Sequence, residues 1–281
     1  MENLNRRPLW ADLSEVVRLS LPIIITMGSQ TVMMFVDTLL VGRFGKDELA
    51  AAGPAGLTFM VFGSFMLGLV SWAIFVGGVV GRLGADALAG NNAATSFMQL
   101  SFMPAYGLSI GLTALVGRYI GQGDYQAAKR RAYLGMACAC CYMTLMGAVF
   151  YLFRRPLIGL FRYEPAVIAA GSLILTYIPL FQFADAFGIV SAGALKGAGD
   201  TRFPAIAQIV FAWLFFLPLV FVLGNPHVGG LRGAWAAATV YIWIYDIVLL
   251  WRFVGERWRK INIFDRREGA GGLFEKNDFA T

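Results

Sequence analysis

Seven apolar stretches alternate with short polar segments along the chain, at approximately 16–43, 54–81, 93–117, 133–153, 167–193, 203–224 and 232–254. Each is long enough to cross the roughly 30 Å hydrocarbon layer of a membrane as a helix. Lipid leaves room only for helices and closed barrels, and the strict apolar/polar alternation of barrel strands is absent. The pattern therefore predicts an all-α polytopic membrane protein of about seven transmembrane helices. Ahead of the first stretch, Leu9, Trp10, Leu13, Val16 and Val17 recur at helical spacing beside Arg6, Arg7 and Arg18, which predicts an interfacial segment over 1–18. The first apolar stretch is too long for the core of a cleavable signal peptide and no small-residue cleavage pattern follows it.

Composition agrees with the pattern. Of 281 residues, 58% are hydrophobic and 14% charged, and the mean hydropathy is +0.65, far above what a soluble domain needs for its core. Cys138, Cys140 and Cys141 share one stretch at a spacing that suits neither a disulfide framework nor a metal site, and read as small packing residues. His227 follows Asn225-Pro226 in a loop and reads as a solvated turn residue. Walker loops, metal clusters, haem sites and nucleophile elbows are missing, so no cofactor is expected.

The net charge of +6 lies in short loops beside the spans, where it reports orientation rather than nucleic-acid binding. Arg118, Lys129, Arg130 and Arg131 follow the third stretch, Lys196 and Arg202 the fifth, and Arg252, Arg257, Arg259 and Lys260 the last. These loops alternate consistently and place 255–281 in the cytoplasm as a tail. Counting back through seven spans puts the N-terminus outside, whereas Arg6, Arg7 and Arg18 favour inside. The conflict falls between residues 43 and 93. There VGRFGKDELA (41–50) recurs as VGRLGADALA (80–89), identical at seven of ten positions.

NNAATSFMQLSFMPAYGLSIGLTALVGRYIGQGD from Asn91 and FQFADAFGIVSAGALKGAGDTRFP from Phe181 resemble the second lobe of multidrug and toxic compound extrusion (MATE) transporters. LPIIITMGSQTVMMFVDTLLVGRFG, followed by LAAAGPAGLTFMVFGSFMLGLVS, resembles the first two spans of that family's first lobe. The resemblance implies twelve spans in two six-helix lobes around a substrate cavity, with the VGR(F/L)G phrase ending the first helix of each lobe. Here the two phrases lie 39 residues apart, so the resemblance implies an internal deletion near Val70 to Gly78. The expected domains are a partial first lobe over 19–70 and a second lobe over 71–254. Pro54 to Gly81, with 28 residues, suffices for one crossing, so the first stretch is expected to be inverted or imperfectly inserted.

The resemblance also implies a function: export of cationic or amphipathic compounds from the bacterial inner membrane by antiport with H+ or Na+, impaired by the shortening. Ionisable residues within spans are costly and mark ion pathways. Asp37 matches the first-lobe aspartate of the VDT motif that binds the coupling proton or cation, and Asp185 the second-lobe aspartate used in sodium coordination. Gln182, Asn91, Asn92, Gln99 and Asp246 are candidate cavity-lining residues, with Asp246 also able to pair with Arg252 near the membrane surface. Gly77-Gly81, Gly107-Gly111, Gly117-Gly121 and Gly193-Gly197 form GxxxG pairs that allow close helix packing. Pro104, Pro179 and Pro218 fall inside spans and are expected to bend them. Expected partners are small molecules and membrane lipid, not nucleic acid, with no oligomeric state indicated. Two alternatives stand beside transport. One is a non-transporting remnant or helix-packing partner. The other is an intramembrane aspartyl protease, from GAGD at 197–200 and Tyr245-Asp246.

Overall fold

The structure is a computed structural model that describes residues 9–44 and 71–260. In chain order it contains α1 (Leu9–Phe44), α2 (Ser71–Leu83), α3 (Ala85–Gly121), α4 (Tyr125–Leu152), the short α5 (Arg154–Gly159), α6 (Pro165–Gly197), α7 (Arg202–Leu223) and α8 (Gly230–Val254). A 3₁₀ turn at Arg257–Lys260 follows. Five helices, α3, α4, α6, α7 and α8, are each long and apolar enough to cross a membrane. The all-helical polytopic fold expected from the apolar pattern is the fold observed. Helices overrun their apolar stretches at both ends, as α3 does with Asp86 and Arg118, because helical hydrogen bonding continues where polar side chains reach the headgroup layer.

Local chemistry sets the breaks. Gly84, at φ 107°, takes a left-handed backbone that separates α2 from α3. Asp124 caps α4 by accepting from the Ala127 amide at 2.9 Å. Pro104 and Pro179 leave α3 and α6 continuous. π-helical turns occupy Ile74–Val79 within α2 and Phe211–Phe216 within α7. The three cysteines are free, Cys138 and Cys140 half-buried and Cys141 exposed, and the backbone amide of exposed His227 donates to Asn225 Oδ1 at 3.0 Å in a turn.

Small residues let the central helices approach. Along α3 and α6, Ser109 Oγ donates to the Ile189 carbonyl (2.6 Å) and Thr113 Oγ1 to the Gly193 carbonyl (2.9 Å). A Cβ on Gly193 would lie 2.6 Å from the Ser109 carbonyl oxygen, and one on Gly117 3.2 Å from that of Gly197. Gly107 and Gly111 receive α1 on the other side of α3, where Cβ atoms would meet the Cα atoms of Ile24 at 3.0 Å and Ser20 at 2.9 Å. No such contact occurs at Gly77, whose surroundings are open.

α1 runs antiparallel to α3. Its first turns end in an ion-pair network with Arg118, Arg130 and Arg131, while Phe35 lies edge-on to Phe97 (5.2 Å) and Phe161 (5.4 Å) toward the opposite face. The first turns of α1 therefore lie at the same end of the bundle as the basic loop carrying Arg118 to Arg131. α1 thus ends, and α3 begins, at the opposite end of the bundle from that network. The expected inversion of the first stretch is not observed: Asp12 and Glu15 on α1 neutralise the basic loop and hold the N-terminal turns beside it.

Candidate functional site

Two apolar clusters fill the bundle. The outer one is built on Phe75, Phe97, Phe161, Phe181 and Trp235, the inner one on Leu112, Leu115, Met136, Val190 and Trp258. α6 contributes to the outer cluster up to Phe181 and to the inner cluster from Ala186; α8 does so up to Ala238 and from Leu249. Asp185 and Asp246 fall where one cluster gives way to the other. A polar layer therefore crosses the bundle near mid-depth, a position at which transporters bind ions and substrates.

Helix periodicity places Gly188 one turn beyond Asp185 on α6. Asp246 of α8 seats against it so closely that a Cβ on Gly188 would overlap the Asp246 carboxyl group. Asp246 is 3% exposed, and its Oδ2 has no hydrogen-bond partner among the described residues. Asp185 is half-buried, one helical turn before Gly188. Tyr241 and Tyr245 stack at 6.1 Å, one helical turn apart, and Tyr245 Oη approaches the Pro204 carbonyl at 3.5 Å. Trp243 Nε1 donates to the Leu180 carbonyl at 2.9 Å and locks α8 onto α6 beside the site.

No ion pair among the described residues reaches either aspartate. Two carboxylates in an apolar interior with no facing cation do not both ionise unless a positive ion joins them. The arrangement can hold a shared proton, or coordinate one hard cation through carboxylate oxygens.

Other candidate residues take separate places. Gln182 is buried and turned toward α3 and α4, its Nε2 donating to Ser101 Oγ at 2.8 Å and its Oε1 lying 2.7 Å from where a Gly147 Cβ would stand. Asn91 is fully buried, and its Oδ1 accepts from Trp235 Nε1 at 3.2 Å, tying α3 to α8. Asn92 is also buried, its carbonyl accepting from Ser96 Oγ at 2.9 Å; Gln99 is half-buried. Asp37 belongs to α1, but its side chain is outside the described residues. Asp246 does not pair with Arg252. Arg252 Nε instead donates to Asp200 Oδ2 at 2.8 Å, with the guanidinium over the Phe203 ring. That pairing also takes Asp200 out of reach of protease chemistry, because its carboxylate is held by a cation. Sequence reasoning singles out Tyr245 only within the Tyr245-Asp246 protease motif and misses Tyr241 and Gly188, although YIWIYD places both tyrosines one turn apart beside the aspartate.

The MatE family model matches the chain twice, over residues 22–74 and 66–222. The chain belongs to the MatE family. The two matches overlap at 66–74, where the repeated phrase points to a junction. Among relatives, the probable multidrug resistance protein NorM of Thermotoga maritima is 31% identical over 79% of this MatE chain and 46% of its own length. The multidrug resistance protein PmpM of Pseudomonas aeruginosa is 30% identical over 82% of the chain and 50% of its own length. Among solved structures, an inward-facing multidrug resistance MATE transporter of the MOP superfamily superposes with a TM-score of 0.60 at 18% identity, over 75% of this chain and 47% of that one. An outward-facing MATE structure superposes at 0.59 and 19% identity, over 82% and 47%. The chain therefore spans about half the length of the relatives it matches, and the structural likeness concerns fold.

Proposed function

We propose that this MatE chain is an ion-coupled secondary transporter that binds cationic or amphipathic compounds and exchanges them for H+ or Na+ at Asp185 and Asp246. The carrying observation is the pair of aspartates on adjoining helices, with Asp246 seated against Gly188 one turn beyond Asp185 and unmatched by any cation among the described residues. One site that tolerates a single net charge state makes a driving ion and a cationic substrate compete, which is the requirement for antiport. The names of the NorM and PmpM relatives support multidrug compounds as the substrate class.

α1 packs into the same bundle as α3 through Gly107 and Gly111, so α1 and α3–α8 are read together as a single lobe, in place of a partial first lobe followed by a second. With one lobe, a two-walled cavity is incomplete, and binding is expected to outlast net transport. The test is binding of a cationic dye to the purified chain at varied sodium concentration and pH. Asp185→Asn should abolish the ion dependence, and Asp246→Asn should weaken it about tenfold or more, with both proteins still folded. Ion-dependent binding unchanged in both variants would remove the pair from the site. Intact binding with no gradient-driven dye movement in vesicles would identify the chain as a binding rather than a transporting form.

A further inference from the structure

A cavity of about 630 Å³ opens at the basic end of the bundle, away from the carboxyl pair, between the first turns of α4, the start of α1 and the turn after α8. Among the described residues, Lys129, Arg130 and Arg259 line it with a single carboxylate, that of Glu256. Glu256 is shared between Lys129 and Arg259, and Arg130 Nε reaches only Asp12, at 3.0 Å, which Arg131 also holds at 2.9 Å. Among the described lining residues, positive charge thus exceeds negative. Glu256 adopts a left-handed backbone (φ 54°), rare for a residue with a side chain. The lining is only part polar: Leu9, Leu134 and the Tyr133 ring complete it.

Depth decides what such a cavity meets. Trp258 is buried against Phe253 (5.8 Å) directly beneath Arg259, while Trp10 and Trp251 are exposed at the same end, as in the aromatic belt of a membrane interface. We propose that this cavity binds the headgroup phosphate of an anionic phospholipid of the cytoplasmic leaflet, with its upper acyl segment against Leu9 and Leu134. The cations offer several donors to phosphate oxygens, and a free phosphate would leave the apolar part of the wall unused. Because α1, α4 and the C-terminal turn all contribute, the bound lipid clips the two ends of the bundle together.

The test compares lipids retained by the whole purified chain, by native mass spectrometry and by thermal stability in detergent, with phosphatidylglycerol, phosphatidylcholine or inorganic phosphate added. Phosphatidylglycerol should be retained about tenfold better than phosphatidylcholine. The Lys129→Gln/Arg259→Gln variant should lose that preference, and Arg257→Gln, which removes an exposed charge outside the lining, should keep it. Glu256→Gln separates ligand binding from mere structural support: with the competing carboxylate neutralised, phosphatidylglycerol retention should rise, whereas a purely structural role would make it fall. Equal retention of both lipids, or a fall in Glu256→Gln, overturns the proposal. So does equal protection by inorganic phosphate, which would assign a free-anion site instead.

Discussion

At Gly188 the absence of one carbon decides how the candidate site is built. Asp246 occupies the volume a side chain there would need, so α6 and α8 come together only with glycine at this position. Gly188→Ala should push the carboxyl aside, at a cost of about 1–3 kcal/mol for overpacking, and weaken ion binding about tenfold or more. Gly193→Ala on the same helix presses instead on the Ser109 carbonyl, at 2.6 Å, away from the aspartates. It should lower the melting temperature comparably while leaving ion dependence intact. Ion titrations of the two variants side by side check this, and unchanged affinity in Gly188→Ala would refute it. Asp185 was legible in the sequence because an aspartate within an apolar span stands out against its surroundings. The partner of Asp246 was misread. Arg252 is six residues further along α8, which at 3.6 residues per turn puts it on a different face, and the nearest acceptor for Arg252 was Asp200, 52 residues earlier.

Among elements, α1 depends on contacts that no local pattern announces. Arg131 is 3% exposed, donates to Glu15 Oε2 through Nε (3.0 Å) and Nη2 (2.8 Å), and lies over the Tyr119 ring at 3.9 Å. Tyr119 Oη donates to the same carboxylate at 2.7 Å. Burial raises the Glu15 carboxyl, but the hydrogen bonds from Tyr119 and Arg131 and the charges of Arg131 and Arg118 outweigh it, leaving the group below its ordinary value of 4.5. A depressed carboxylate stabilises the fold fully above its unfolded value and loses that contribution as pH falls through the lower folded value. The melting temperature of the wild type should therefore decline as pH drops below about 4.5, and Glu15→Gln should be flatter over that window. Arg131→Gln, which strands Asp12 and Glu15 next to a neutral side chain, should cost about 3 kcal/mol. Melting curves against pH check both, and identical slopes for wild type and Glu15→Gln would contradict the network. The five spans α3, α4, α6, α7 and α8 were legible because apolar length follows from composition alone, whereas most of the stretch 54–81 lies outside the described residues, and Gly107-Gly111 was legible as a packing face. What that face packs against was not, since Asp12, Glu15 and Ser20 meet residues some 90 to 120 positions away, and only the folded bundle sets that register.

For the whole molecule, these contacts fix orientation. Leu9 and Glu256 line one cavity, and Lys129 bonds Glu256, so the start of α1, the start of α4 and the turn after α8 share one face. By the positive-inside rule, its arginines and lysines predict that this face is cytoplasmic. Tyr163, 89% exposed between α5 and α6, belongs to the opposite face, where Phe161 meets Phe35. An odd number of crossings would separate the ends of the bundle, yet the start of α1 and the turn after α8 meet at one face. Single cysteines replacing Leu9, Arg257 and Tyr163, in a chain lacking Cys138, Cys140 and Cys141, test this in sealed inside-in vesicles. The first two should be protected from an impermeant thiol reagent and the third labelled. Labelling at Leu9 together with protection at Arg257 would restore the inverted first helix that charge and span counting suggested, and with it the loss of every ion pair between α1 and the basic loop.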